Sequence, residues 1–308
     1  MSNSEVVVVG SSNTDMIMQL DKIPVPGETV LGGKFSTAAG GKGANQAVAA
    51  ARAGGDVTLI AAIGNDSLGK QAVEGFLVDG INVEYIKRVN NAASGVALIF
   101  VDKRGENSIA VASGANMALC LETIINATQV ISMAKILLMQ LEIPIETVTK
   151  AAQLGHEAGV WVILNPAPAQ PLDDALLKLI SILTPNETEA EFLTGVKVED
   201  EAGARKAAEV LLAKGVKAVL ITLGARGVYL ACRDKRELIP GFKVDAVDTT
   251  AAGDVFNGAL AVGLAEGKPL EEAIRFANAA AALSVTKLGA QPSAHSRAEI
   301  DCFLGKRQ

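Results

Sequence analysis

Between Lys135 and Thr222 the chain repeats one pattern: a short apolar run, a polar residue at its end, then an amphipathic segment. Ile136 to Leu141 ends at Glu142, Val160 to Leu164 ends at Asn165, Ile180 to Leu183 leads to Asn186, and Ala218 to Ile221 ends at Thr222. Runs this short and this apolar suit strands buried on both faces, and helices between them make the strands parallel. Parallel strands end at one edge of their sheet, and open α/β sheets bind ligands at that carboxyl edge. Glu142, Asn165, Asn186 and Thr222 are therefore expected to gather there.

The first third has a different texture. Val6 to Gly10 and Val57 to Ile63 read as further buried strands, and Gly43 to Ala53 and Ser67 to Asp79 as helices. Thr14 to Ala38 and Gly95 to Val111 instead read as short alternating strands, with turns at Pro24 to Gly27 and Lys103 to Glu106. The expected fold class is α/β: one large domain carrying a small β appendage made by two excursions of the chain. The Ala-rich Ala277 to Ala282 is expected to be a helix packed closely on its neighbours. No repeat, low-complexity tract or linker interrupts this plan.

Composition narrows the function. A chain of 308 residues with 49% apolar content can bury a large core, and a net charge of -6 disfavours general binding to nucleic acid or to an anionic membrane. Cys120, Cys232 and Cys302 are odd in number and far apart, so neither a disulfide framework nor a zinc site is expected. His156 and His295 are isolated, which leaves a Ser-His-Asp hydrolase poorly supplied. Residues 1–5 lack a basic leader and the apolar run after them is short, so a soluble, cytoplasmic protein is expected.

Three glycine-rich turns and one heptapeptide carry the chemistry. Asp248-Thr-Thr-Ala-Ala-Gly-Asp254 places small residues at the opening of a helix, beside a carboxylate. Bare N–H groups at a helix N-terminus attract an anion, and Ala-Ala-Gly leaves them approachable, so an anion hole with a base inside it competes with an ordinary N-cap. Gly64 to Gln71 matches a phosphate-binding P-loop except at its last position, where Gln replaces the Ser or Thr that holds Mg²⁺; a tight strand-to-helix turn is favoured. Ala39 to Gln46 offers close backbone approach, with Lys42 and Asn45 as donors to hydroxyls or a phosphate. Thr222 to Gly227 suits either a nucleotide site or a plain turn between strands.

Taken together, Asp248 to Asp254 and Gly40 to Gln46 resemble the two signatures of the pfkB-type carbohydrate and purine kinase superfamily, in the right order and separation. The likeness runs the length of the chain through Asn13-Thr-Asp15, Pro26 to Thr29, the Gly64 to Gly69 turn, Gln140 to Glu142, Asn165 to Pro168, Pro185 to Glu189, Thr222 to Gly227 and Gly289 to Ser293. Ala251 stands where many relatives have Gly, and the hole needs only a small residue.

The resemblance implies a three-layer α/β/α fold with a mainly parallel sheet, in a single domain over residues 1–308. A β-sheet lid would be formed by residues of about 13–38 and 93–112 and would also serve a homodimer. It implies ATP-dependent phosphorylation of the 5-hydroxyl of D-ribose, giving D-ribose 5-phosphate and ADP; a kinase of another sugar or nucleoside, or a non-catalytic sugar sensor, are the alternatives. Asp254 would be the base, and the N–H groups of Ala251, Ala252, Gly253 and Asp254 the anion hole. Asn13, Asp15, Gly41, Lys42, Asn45, Glu142 and Asp254 would hold the sugar. Asn186, Glu189, Thr222, Gly224, Gly227, Gly253 and Asn278 would hold the nucleotide, Glu189 with Mg²⁺. Asp248, Thr250, Ser284, Lys287, Gly289 and Ser293 would hold a K⁺ ion, several through backbone carbonyls.

Overall fold

The computed structural model describes residues 5–306; residues 1–4, most of the segment read above as lacking a basic leader, lie outside them. In chain order the elements are β1 (Val6–Val9), β2 (Asn13–Gln19), β3 (Lys34–Gly40), α1 (Lys42–Arg52), β4 (Val57–Gly64), α2 (Ser67–Val78), β5 (Ile86–Val89), β6 (Gly95–Val101), β7 (Asn107–Ala112), α3 (Leu121–Asn126), α4 (Thr128–Met133), β8 (Ile136–Met139), α5 (Ile145–Glu157), β9 (Trp161–Leu164), α6 (Asp174–Leu177), β10 (Ile182–Leu183), α7 (Glu187–Thr194), α8 (Glu201–Ala213), β11 (Ala218–Thr222), β12 (Gly227–Cys232), β13 (Arg236–Pro240), α9 (Ala252–Ala265), α10 (Leu270–Ser284) and α11 (Arg297–Gly305).

Nine strands form one sheet in the order β13-β12-β11-β10-β9-β8-β1-β4-β5, parallel from β11 to β5 and antiparallel only at the β11-β12-β13 edge. The pleat explains the layers. Val7 and Val9 of β1 pack into one apolar cluster with Leu119, Ile124, Val148 and Ala204, while Val6 and Val8 pack into another with Ala47, Phe76, Val255 and Ile274. Successive side chains point to opposite faces, so a strand reading Val-Val-Val-Val needs a helical layer on each side. The three-layer α/β/α arrangement follows.

The second sheet, in the order β3-β2-β6-β7, is built from the two excursions that the alternating patterns mark. Asn13 pairs with Gly40 on one side and Gly95 on the other, so its strands are rooted where β1 ends. All six residues of β7 are exposed. The structure differs from the sequence reading at two places. The Ile180 to Leu183 strand shrinks to two residues and β5 adds an edge strand, while Thr222 to Gly227 is a turn between strands, those of an antiparallel hairpin.

Gly64 to Gln71 is a structural turn. Asp66 caps α2 by accepting from the Gly69 N–H at 2.8 Å, and its carboxylate also accepts from the Ser94 N–H at 2.8 Å and Oγ at 2.7 Å. The Gly64 N–H is spent on Ser94 Oγ at 3.0 Å. Donors that a phosphate would need are thus engaged in tying β4 to the root of β6.

Candidate active site

Helix α9 begins at Ala252, and its cap residue is Ala251 in the left-handed conformation, φ 58°, with no side chain accepting from the first turn. An ordinary side-chain N-cap is therefore absent. The first-turn N–H groups of a helix have no partner within it. Ala252 turns its own back to the Thr249 carbonyl at 3.3 Å, while no such bond is made by the N–H of Gly253 or Asp254 among the described residues. These groups line a cavity of about 190 Å³ with Lys42, Asn186, Glu189 and Thr222.

Asp254, the third residue of α9, is 6% exposed, and both of its oxygens are held. Oδ2 accepts from Asn45 Nδ2 at 3.0 Å and Oδ1 from Gln46 Nε2 at 2.9 Å. Burial pushes its carboxyl up from the ordinary value, more than Lys42, Gln46 and Asn45 pull it down; Glu142 adds to the rise. Asp15 is raised to about 6 by burial and by the Glu142 and Asp254 charges, against Lys42. Burial pulls the Lys42 ammonium down, but Asp254, Glu142, Glu189 and Asp15 outweigh it and hold the group above its ordinary value. One lysine thus stands among four carboxylates.

On the other side of Lys42 opens a cavity of about 670 Å³ that Asn13 and Glu142 also line. Glu142 Oε2 accepts from Ser11 Oγ at 2.6 Å and from the Lys42 N–H, the first of α1, at 3.0 Å. Asn13 is oriented by Asn116, whose Nδ2 donates to Asn13 Oδ1 at 2.7 Å. Gly40 is side-chain-free because a Cβ there would meet the Asp15 carboxylate at 2.4 Å. Gly41, at φ 86°, would drive a Cβ within 2.6 Å of the Asn13 N–H nitrogen, so it serves the close seating of α1 against β2. Asn45 Oδ1 is buried and has no protein partner. A cluster of carboxylates plus an unpaired acceptor suits a ligand with several hydroxyls.

Gly253 and Ala252 also border a third cavity, of about 680 Å³, lined by Asn186, Thr222, Gly224, Gly227 and Asn278 together with Val228, Phe242 and Phe256. Asn186 and Thr222 are bridged as extensions of β10 and β11. Asn186 and Glu189 form a capping box on α7: Asn186 Oδ1 accepts from the Glu189 N–H at 2.8 Å, and Glu189 Oε2 from the Asn186 N–H at 2.9 Å. Burial raises the Glu189 carboxyl. Gly227 is a packing glycine, its Cβ position 2.2 Å from the Ile239 carbonyl, while Gly224 faces open space.

The expected cation ligands divide. Asp248 Oδ1 accepts from the Thr250 N–H at 2.9 Å and Oδ2 from the Gly289 N–H at 2.8 Å, which clamps two loops together. The Ser284 and Ser293 hydroxyls are turned to the Ala281 and Ala290 carbonyls, and Lys287 Nζ to His295 and Glu299. The Ser284 carbonyl also accepts from the Lys287 N–H at 3.1 Å, and no cluster of three His, Cys, Asp or Glu suited to a metal exists among the described residues.

The sequence reading left Gln46, Gln140, Asn116 and Ser11 without a role. Gln46 carried a signal, being a polar side chain followed by the wholly apolar run Ala47 to Ala51.

Residues 3–297 match the family described as pfkB family carbohydrate kinase. The chain belongs to the pfkB family. Among relatives of this carbohydrate kinase, the ribokinase of Haemophilus influenzae is 51% identical over 97% of this chain and 98% of that protein, and the ribokinase of Bacillus subtilis 42% identical over 97% and 99%. The structure of Arabidopsis thaliana ribokinase complexed with ribose and ATP superposes with a TM-score of 0.93 at 37% identity, covering 98% of each chain. No helix among the described residues of this pfkB kinase is long and apolar enough to cross a membrane.

Proposed function

We propose that the chain transfers the γ-phosphate of ATP to the 5-hydroxyl of D-ribose, releasing ADP and D-ribose 5-phosphate. The observation that carries this reading is the position of Asp254. Its carboxylate sits at a helix N-terminus between two cavities, one reached past Lys42 and bordered by the polar Asn13, Asn116 and Glu142, the other reached past Gly253 and partly apolar. A sugar suits the first and a nucleotide the second. Asp254 accepts the hydroxyl proton, and the N–H groups of Ala251, Gly253 and Asp254, with Lys42, meet the charge on the phosphoryl group in flight, the expected Ala252 N–H being turned to Thr249. Such transfer is mostly positioning and electrostatics.

Asn13, Asp15, Asn45 and Glu142 accept from or donate to ribose hydroxyls, with Gly41 seating them. Thr222, Gly224, Gly227 and Asn278 border the adenosine, and Asn186 the phosphates. Mg²⁺ fits beside Glu189, since this ion binds through one or two carboxylates plus substrate phosphates, and when bound it neutralises phosphate charge. K⁺ fits the carbonyls near Asp248, where the loop clamp sets the shape of the anion hole. We assign residues 1–308 to one kinase domain whose small sheet closes over the sugar and excludes water. Exposed Phe35, Leu98, Ile109 and Val111 on that sheet favour a homodimer of lids, and free cysteines favour the cytoplasm.

A coupled ADP assay across ribose, 2-deoxyribose, fructose and adenosine tests the substrate, and faster turnover of any but ribose overturns it. Asp254→Asn must abolish turnover while calorimetry still detects ribose binding. A rate indifferent to exchanging K⁺ for Na⁺ removes the cation site.

A further inference from the structure

Helices α1 and α9 cross at close range. A Cβ on Gly258 would lie 2.6 Å from the Gln46 carbonyl oxygen and 2.8 Å from Ala49 Cβ and the Ala50 nitrogen. That crossing brings Gln46, wholly buried, beneath Asp254, one turn before Gly258 on α9. Its Nε2 donates to Asp254 Oδ1 at 2.9 Å and to Asn165 Oδ1 at 3.1 Å, which uses both of its protons. Its Oε1 accepts from Gln140 Nε2 at 2.5 Å. Gln140 is equally buried and fits because Gly10 has no side chain: a Cβ there would stand 2.1 Å from Gln140 Oε1. The direction of each amide is dictated by the carboxylate. An ionised Asp254 only accepts, so the Gln46 amide must turn its NH₂ to it and its oxygen to Gln140, which must then donate.

We propose that Gln46 is a positioning residue for the proton-accepting carboxylate, fixing the plane of Asp254 through Oδ1, and that Gln140 and Asn165 lock the Gln46 amide in the orientation this requires. The inference rests on Asp254 being the base. Charges also reach Asp254 from Lys42 on α1, Glu142 after β8, Asp15 on β2 and Glu189 on α7. Against that background the Gln46 donor helps keep the buried carboxylate ionised, and its loss leaves only Lys42 and Asn45 to oppose burial.

Gln46→Met keeps length and removes the donor. The expected result in the full-length chain is a kcat lower by about ten- to a hundred-fold, the loss of one hydrogen bond to a charged group, with KM for ribose and ATP changed less than about threefold. The acid limb of the kcat profile moves to higher pH. Gln140→Met, which does not touch Asp254, moves the same limb by less. The double variant is no slower than Gln46→Met, because the two act through one contact. A folded Gln46→Met with wild-type kcat and acid limb overturns the proposal, as does a rise in the KM for ribose at unchanged kcat. If Gln46→Met does not fold, a wild-type acid limb in Gln140→Met overturns it. Near-normal turnover in Asp254→Asn is a different failure, that of the base assignment.

Discussion

Gly253→Ala separates what the anion hole needs from what the fold needs. Gly253 is the second residue of α9, its φ is not positive, and an added Cβ would meet nothing within 4 Å. The fold has no use for glycine there. Alanine narrows the unfolded ensemble and suits a helix better, so the variant gains about 0.5–1 kcal/mol of stability. For a chain of this length that raises Tm by roughly 1–3 °C. The same methyl group projects where a phosphoryl oxygen would approach the free N–H groups of the first turn. Losing one such donor costs about 10²- to 10³-fold in kcat, or roughly 2.7–4 kcal/mol. Thermal melts and initial rates at saturating ATP and ribose measure both effects on one preparation. Turnover within threefold of wild type would refute a phosphate at Gly253, and a Tm lowered by several degrees would refute the claim that the glycine is structurally dispensable.

Ala251 is the one non-glycine residue with positive φ among those described, a conformation that costs an L-residue about 1–2 kcal/mol. Ala251→Val, β-branched, should lower stability by more than about 1 kcal/mol and slow turnover, whereas Ala251→Gly should keep both near wild type; urea melts and rates check this. Lys70 is exposed on α2 and lines none of the three cavities, so Lys70→Ala should leave kcat and KM unchanged within error. Asp15 titrates near 6, above its ordinary 3.8, so the folded chain binds its proton more tightly than the unfolded chain does. Its contribution to stability is full below about pH 4 and lost as pH rises through about 6; urea melts across that range should show a falling slope that Asp15→Asn flattens.

Strand ends and the heptapeptide were legible because each is a local pattern. Asn165, Asn186 and Thr222 gather at one cavity since parallel strands must end on one side, and only Glu142 turns away to the neighbouring cavity. The short polar strands were harder. β5, Ile-Lys-Arg-Val, has no continuous apolar face, and the β12-β13 hairpin continues a sheet whose parallel pattern had set another expectation. What a linear reading does not contain is the meeting of Gln46 with Asp254, 208 positions apart, because the angle and distance of the α1-α9 crossing decide it.

Glycine shows the limit most sharply, since one letter stands for two opposite uses. Gly41, Gly43 and Gly258 are places where backbone meets backbone: a Cβ on Gly43 would lie 2.4 Å from the Ser11 nitrogen and 2.6 Å from the Gly10 backbone. Gly253 and Gly224 border open cavity instead. In the sequence, Gly40 to Gly43 is the richer in glycine, yet the expected anion hole lies at Ala251 to Asp254. The packing separates the two segments. Glycines packed on backbone seat Lys42, Asn45 and Gln46 so that their side chains reach the site, whereas the single open glycine at the start of α9 leaves its N–H groups approachable. Substitution by alanine distinguishes the two uses by sign. At Gly43 it overpacks and should destabilise by about 1–3 kcal/mol, and at Gly253 it should stabilise while turnover falls.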